Sequence, residues 1–304
     1  MLPFHSHPSV LVVIGSLAVF FWWAFTRLGP RIVPAGDVVA TRRQKHWVVA
    51  GVVWTFVWSY WPLHDIAERY LFLVHMGQHT VFTLIAPACF LLGSPQWLWE
   101  WALSKPVVGP VTRFMSKPIV ALMTFNALIA GTHWVGIVER SLHNEWFHFS
   151  VHAVLFTSAT FMWIPVINRT EQLTRLASPT KMMYLFAQSI VPTVPASFLT
   201  FSRKAMYPTY GHAARLIHGL DAVGDQQLAA ATMKVGAGSF LWGIVGYLFF
   251  TWWQESKRGD TADNRRKTAE VTSIAGMTVS GGRVDEVLTW DQVRAEFDRI
   301  ESGV

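Results

Sequence analysis

Two histidine pairs with the spacing HxxxH, His75 with His79 and His148 with His152, are the residues of this chain best suited to chemistry. Each pair lies near the start of a long apolar stretch. A helix places residues i and i+4 on one face, about 6 Å apart along its axis, so each pair would present two imidazoles in one direction. Neutral imidazole is the commonest metal ligand, and polar groups at the edge of hydrocarbon need a specific reason. The spacing therefore predicts metal binding within a membrane.

The composition indicates which elements must hold these histidines. Of the 304 residues, 52% are hydrophobic and only 14% are charged, and the mean hydropathy is +0.31. These values exclude an ordinary soluble domain and predict an all-α, polytopic membrane helix bundle. The 16 tryptophans fit indole rings at several lipid interfaces. In such a protein the formal charge of +6 reflects basic residues in the cytoplasmic loops. The expected partner is therefore the lipid bilayer, and no nucleic acid is expected.

Apolar stretches long enough to cross about 30 Å of hydrocarbon predict about seven transmembrane helices. They are expected at 9–25, 46–61, 71–92, 119–138, 146–167, 182–201 and 227–253. Lys and Arg alternate between successive loops, with five in the first loop and one in the second, and five more follow the last span. Because basic residues gather in cytoplasmic loops, the N-terminus is predicted outside and the C-terminus in the cytoplasm.

This orientation gathers the histidines on one side of the membrane. Eleven of the twelve fall in outer loops or in the outer third of a span, and only His46 lies inside. One layer about 5 to 10 Å below the surface can hold five of them. The predicted metal ligands are His75, His79, His148, His152 and His133. Imidazoles suit copper, zinc, nickel or haem iron, and interfacial histidines can also simply bond one another and water, so the residues alone leave these alternatives open.

The polar segment that opens the last span has two interpretations. Asp225 and Gln226 can cap the unpaired N–H groups of their own helix. Alternatively they support the metal ligands from behind, with Asp225 accepting a bond from an imidazole and fixing its tautomer. The loop at 202–226, which ends with these two residues, is long enough to close over the histidine layer as a lid.

The chain changes character after the last span, and two domains are predicted. Residues 1–254 would form the seven-helix transmembrane domain and residues 255–304 a cytoplasmic tail. The tail begins with a polar, flexible linker. A capping box at Thr289 and Gln292, followed by apolar residues at helical spacing, predicts a short amphipathic helix at 289–301. This helix would dock on a cytoplasmic partner or on the membrane, or fray.

Several separated motifs together resemble the CtaG family of cytochrome c oxidase assembly factors. They are His75-Met76-Gly77-Gln78-His79, Leu91-Leu92-Gly93-Ser94-Pro95, the pair His148 and His152, Tyr207-Pro208-Thr209-Tyr210, and Asp225-Gln226-Gln227-Leu228-Ala229. The motifs occur in the family's order across residues 60–253. Two departures are Thr80, where the family often has a second Met after the HxxQH run, and Ala230, where it often has Gly.

The resemblance implies a seven-span protein of the cell inner (plasma) membrane that assists oxidase maturation and is not an enzyme. It would bind or deliver copper for a metal centre in the copper-containing oxidase subunits. One alternative is a haem-binding membrane cytochrome with axial histidines from the third and fifth spans, although both pairs lie near the surface. A zinc-dependent membrane hydrolase of the seven-span ceramidase type would need an HxxxH in the last span, where this chain has no His.

Overall fold

The computed structural model describes residues 8–274, 279–280, 283–284, 294–295 and 298–299, and most of this part is helical. We number the described helices α1 to α12 in chain order. They are α1 (Pro8–Trp23, continuing through Ala24–Leu28 to Gly29–Ile32), α2 (Arg42–Ser59), α3 (Leu63–Arg69), α4 (Phe72–Gly93), α5 (Gln96–Leu103), α6 (Val108–Met115), α7 (Pro118–Thr132), α8 (Val135–His143), α9 (Glu145–Ile167), α10 (Ser178–Phe201, with a break after Ser178–Ile190), α11 (Pro208–His212) and α12 (Ala222–Ala231, continuing through Thr232–Gly236 into Ala237–Ile274). Val279–Ser280 pairs antiparallel with Arg283–Val284.

Five of the described helices, α1, α4, α9, α10 and α12, are long and apolar enough to cross a membrane. The pair α6 and α7, bent by 84°, makes a sixth if it counts as one span. The predicted all-helical, multi-span architecture is thereby confirmed, and among the described residues five or six of the seven predicted spans meet this criterion of length and apolarity. The difference lies at the predicted span 46–61, which corresponds to α2. This helix begins with Arg42, Arg43 and Lys45, and these charges lower its mean hydropathy.

The outer faces of these helices are apolar. Large hydrophobic side chains that are mostly exposed include Val12 and Val19 on α1, Ile119 and Met123 on α7, Met183 and Phe198 on α10, and Val235 and Tyr247 on α12. Soluble monomers rarely expose contiguous apolar surface of this extent, whereas lipid tails cover it at no cost. The surface therefore fits a bilayer.

The helix that carries His75 and His79 is also the most enclosed span. In α4, 72% of the most apolar stretch is buried, against 39% or less in the other spans. Three apolar clusters surround it, centred on Trp163 of α9, on Phe72 of α4 itself, and on Phe90 with Phe21 of α1. Both ends of α4 are thus fixed by packing, and side chains on it are held within the bundle.

The connections at the end of the bundle away from the histidine pairs meet one another. The Trp97 indole donates to the Val39 carbonyl at 2.7 Å, and Arg113 donates to the Gln172 side chain at 3.0 Å. Burial, together with the positive charge of Arg43, lowers the pKa of Arg169 at the same end. The segments 27–45, 94–117 and 168–181 therefore share one end, and they carry five, three and three Lys and Arg residues.

The last part of the chain, residues 249–304, forms a compact unit separate from residues 1–248. The sequence predicted a flexible linker from residue 255, and this is wrong as far as Ile274, because α12 stays helical to that residue. The stretch has one glycine, Gly259, and no proline, and extending an existing helix avoids the cost of nucleation. The amphipathic helix predicted at 289–301 lies, apart from 294–295 and 298–299, outside the described residues.

Gly93 allows α4 to cross α2 closely, and its replacement tests this packing. A Cβ on Gly93 would lie 2.5 Å from Val48 Cγ2 and 3.0 Å from the Gln44 carbonyl oxygen. We expect Gly93→Ala to lower the free energy of unfolding by about 1–3 kcal/mol through overpacking, seen as a lower thermal midpoint in detergent. Gly243→Ala is the matched control, because nothing lies within 4 Å of its Cβ position. Equal midpoints for the two variants would contradict the tight crossing.

Candidate metal centre

Helix directions explain why the predicted histidines meet. α4 begins at Phe72 and α9 at Glu145, so both HxxxH pairs lie within the first turns of their helices. α7 runs the other way, and His133 is the residue that ends it. Three helix ends therefore bring imidazoles to one end of the bundle.

The five predicted imidazoles form one cluster. Ring centroids are 4.6 Å apart for His75 and His79, 4.3 Å for His148 and His152, and 4.9 Å for His79 and His152. His133 lies at the edge, 5.9 Å from His79. The buried His64 ring lies 5.9 Å from that of His148, whereas His143, His212 and His218 are exposed and do not join these rings.

Three of the rings are arranged closely enough to share an ion. One nitrogen each from His75, His79 and His152 lie within 4.8 Å of one another. Ligand nitrogens about 2.0–2.1 Å from a tetrahedral metal are roughly 3.3 Å apart, so small ring rotations would close the site. Nδ1 of His75, Nδ1 of His79 and Nε2 of His152 are buried without a hydrogen-bond partner in the described structure. Such atoms cost free energy unless something binds them, and a metal ion would.

His148 has a different environment from these three. Its Nε2 lies 3.2 Å from Oε1 of Glu68, and the same oxygen lies 3.1 Å from Nε2 of His64. Its ring stacks on His152. A carboxylate behind an imidazole is a common way of orienting metal-site histidines, so Glu68 occupies the supporting position that the sequence assigned to Asp225.

The hydrogen bonds of Gln78 fix the ring of His64. The fully buried Gln78 amide donates to the Trp58 carbonyl at 2.7 Å and to Nδ1 of His64 at 3.0 Å. His64 therefore carries its proton on Nε2, where it faces Glu68. The sequence analysis did not assign His64, Glu68 or Gln78 to the site. The signals were present, because His64 and Glu68 are four residues apart and Gln78 lies inside the first HxxxH run.

Asp225 acts on a helix and not on an imidazole, which corrects both sequence interpretations. Its side chain, fully buried, accepts the backbone N–H of Phe72 at 2.8 Å and that of Leu73 at 3.0 Å. It thus caps the N-terminus of α4. The cap of its own helix is Asp221, which accepts the N–H of Gly224 at 2.7 Å. No bond from Asp225 to an imidazole is present among the described residues.

Gln226 also supports backbone instead of a metal ligand. Its Oε1 accepts the Met206 N–H at 2.7 Å, and its Nε2 donates to the Leu199 carbonyl at 3.0 Å. These bonds hold the start of the loop at 202–221 against α12. Among the described residues the bonds of the Gln226 side chain go to backbone groups and not to an imidazole.

The loop at 202–221 closes over the histidine end, in the way the sequence predicted for a lid. The Tyr207 hydroxyl donates to the His133 carbonyl at 2.9 Å, and that of Tyr210 to the Ala67 carbonyl at 2.7 Å. Both rings pack on Phe72, with centroids 4.7 and 5.0 Å away. Burial raises the pKa of both phenols, so they remain donors. Thr209 adds a bond from its hydroxyl to Glu139 at 2.7 Å.

The cluster lies between two cavities. A larger one of about 390 Å³ has a polar end that includes His148, His152 and two carboxylates, Glu68 and Glu145. Apolar residues of α1 and α9 line much of the rest, together with Phe82 and with polar side chains that include Thr55, Ser59 and Gln78. A smaller one of about 60 Å³ is lined by His79 and His133. Glu145, which lines the larger cavity, is exposed.

Comparison with known proteins gives one match. The sequence model of a family described as cytochrome c oxidase caa3 assembly factor, Caa3_CtaG, matches residues 19–255. No curated protein and no solved structure matches the chain. The family match confirms the resemblance that the separated motifs predicted and extends it towards the N-terminus.

Removing the charge of Asp225 tests its role at α4. In Asp225→Asn the amide group offers a donor to one of the two N–H groups, which is then buried without an acceptor, so we expect a loss of about 1–3 kcal/mol of stability. Thermal or denaturant unfolding of the purified protein measures it. Asp221→Asn is the matched control, since Asn caps a helix about as well as Asp and should change stability little. An Asp225→Asn variant with unchanged stability would exclude the capping role.

Proposed function

The chain belongs to the family of cytochrome c oxidase caa3 assembly factors, and we propose that it supports oxidase assembly by holding copper on His75, His79 and His152. One observation carries the proposal, namely that nitrogens of these residues lie within 4.8 Å of one another. His75 is buried and His79 and His152 are half-buried, and each has a buried ring nitrogen that no described group satisfies. Copper is here a cargo for an oxidase that contains it, and the reaction required is ligand exchange and not catalysis.

The donor set favours copper over zinc and haem. Imidazole nitrogens suit copper and zinc, and divalent copper binds such sites more strongly than zinc does. A haem would have to fit between rings whose centroids are 4.3 to 5.9 Å apart, and this crowding leaves no room for its macrocycle. A copper centre in the oxidase also gives the ion a destination, the copper-containing subunits.

Glu68 and His148 are proposed to deliver and retain the ion. Glu68 and Glu145 place negative charge along the larger cavity, which attracts cations towards His148 and His152. Near the bound ion, Glu68 orients His148 and offsets positive charge. His148 and His133 complete the predicted ligand set. As neighbours, each can replace one of the three histidine ligands while copper is exchanged.

The topology proposed for this function has seven spans. α2 exposes Val49, Val53 and Trp54 in the same way as the other spanning helices, which supports its inclusion with α1, α4, α6–α7, α9, α10 and α12. Basic residues are commonest on the cytoplasmic side, so the end with segments 27–45, 94–117 and 168–181 is proposed to be inside. The histidine cluster then faces outward from the plasma membrane, and the tail, with any partner of segment 289–301, lies in the cytoplasm.

Copper analysis tests the site directly. Purified protein exposed to Cu(II) and then desalted should retain about one equivalent and show no Soret band, and His75→Ala/His79→Ala should lose the metal because two of three imidazoles are gone. His143→Ala/His218→Ala removes two exposed histidines as the control and should retain copper. Copper retention by the first double variant would contradict the assignment of His75 and His79 as ligands, and a Soret band would favour haem.

Cysteine labelling tests the orientation. Asp37 lies in the exposed connection after α1, and Ala214 in the exposed loop at the histidine end. A membrane-impermeant maleimide should label Ala214→Cys in intact cells and Asp37→Cys only after permeabilisation. The native Cys89 is buried and should give little background. The reverse labelling pattern would contradict the proposed topology.

A further inference from the structure

The smaller cavity next to the histidine cluster has a lining of which the three-histidine site uses only His79. Two imidazoles and three thioethers line its volume of about 60 Å³, and they belong to His79, His133, Met76, Met162 and Met233. All three methionines are buried. None of the described residues that line the cavity is acidic. The chemistry of this space is therefore that of neutral, soft ligands.

His133 offers a lone pair to this cavity. Its Nδ1 lies 2.6 Å from the Ile129 carbonyl oxygen of its own helix, so Nδ1 carries the proton and donates. Nε2 on the far edge of the ring then keeps its lone pair. The residue is only 9% exposed, and Nε2 has no hydrogen-bond partner in the described structure. A neutral imidazole held in this tautomer is in the form that binds metals.

The hydroxyl groups around the cavity have already used their protons. Thr80 donates to the Met76 carbonyl, Thr83 to the His79 carbonyl and Ser189 to the Phe186 carbonyl. The volume would hold about two water molecules at the density of the liquid, but these groups can offer such waters only acceptors. The lone pair on Nε2 of His133 can be satisfied by a water or by a cation.

Two backbone irregularities flank the same cavity. α4 contains a π-helical turn at Val81–Ile85 and α12 another at Thr232–Gly236. The first supplies Thr83 to the lining and the second supplies Met233. Trp163 donates to the Thr83 carbonyl at 3.0 Å and so satisfies part of the wide turn. Such turns re-aim side chains and are frequent at functional sites, which separates this lining from ordinary core packing.

We propose that this cavity is a second metal position, selective for Cu(I), whose ligands are thioethers of Met76, Met162 and Met233 with Nε2 of His133. Thioether sulfur is a soft ligand that selects Cu(I) over zinc. A monovalent ion also suits a buried space without carboxylates, because a divalent ion there would carry more uncompensated charge. The inference rests on the proposed function, since copper would arrive from the three-histidine site.

His79 connects the two positions. It belongs to the group of three nitrogens within 4.8 Å and also lines the smaller cavity. Cu(I) can therefore pass from one position to the other by exchanging imidazole ligands for thioethers around this one ring. The step applies to copper that enters the three-histidine site already reduced, so the ion keeps its oxidation state and no electron donor or acceptor takes part. The protein would hold about two Cu(I) ions when loaded under reducing conditions.

Anaerobic loading of the full chain in detergent with Cu(I), against a competing Cu(I) chelator, tests the second position. Wild-type protein should hold about two equivalents, and X-ray absorption should show sulfur near roughly 2.3 Å as well as nitrogen. The variant Met76→Leu/Met162→Leu/Met233→Leu conserves core volume. It should hold about one equivalent with nitrogen ligands only. Met123→Leu/Met183→Leu, which changes two exposed methionines, should match wild type.

The possible failures are distinguishable. Wild-type protein with one equivalent and no sulfur signal would overturn the second position and leave the three-histidine site standing. Unchanged stoichiometry and sulfur signal in the triple variant would also overturn it. Wild-type protein that binds neither Cu(II) nor Cu(I) would overturn the proposed function itself. Retention of one Cu(II) equivalent by the triple variant shows that it is folded, so its loss of Cu(I) would then support the inference.

Discussion

The buried carboxylate of Asp225 at the start of α4 is the interaction on which the histidine cluster depends. A helix N-terminus has unpaired N–H groups and a partial positive charge, and a carboxylate satisfies both. Asp225 accepts the N–H groups of Phe72 and Leu73, so it fixes α4 against α12 one turn before His75. The same bond joins α4 to α12, the helix that supplies Met233 to the smaller cavity. One charge-assisted contact thus positions both candidate metal sites.

The buried imidazoles have a free-energy cost that packing does not explain. Some ring nitrogens are satisfied by protein groups, as His133 is by the Ile129 carbonyl and His148 by Glu68. Others, including Nδ1 of His75 and Nδ1 of His79, have no partner in the described structure. Each such atom costs about 1–3 kcal/mol, and apolar side chains in its place would avoid the loss. Persistence of several orphan nitrogens within a few ångströms is therefore the strongest physical argument for a ligand.

The sequence predicts this cluster better than it predicts what holds the cluster together. Helical periodicity and span ends suffice to put both HxxxH pairs and His133 at one depth. They do not order the helices laterally, because the apolar residues of spans such as α9 are spread over all faces and do not show which neighbour each face meets. The contact of Asp225 with Phe72 joins residues 153 positions apart, and no local pattern encodes it. The α2 span does not meet the criterion of apolarity for a simpler reason. Its mean hydropathy combines a charged first turn with an apolar remainder.

The proposed copper path runs from the larger cavity through the three-histidine site to the smaller cavity. Its metal selectivity comes from the order of the ligands along it and not from any one position. Carboxylates line the larger cavity and attract every cation. The imidazoles of the cluster would hold copper and zinc alike, with a preference for divalent copper. Only the thioethers beyond His79 discriminate sharply, because they bind soft Cu(I) and offer zinc little. Zinc would therefore stop at the imidazoles and exchange back outward, whereas reduced copper gains ligands at each step. A protein that must deliver copper where zinc is also present needs such a sequence of sites, since imidazoles alone would not separate the two.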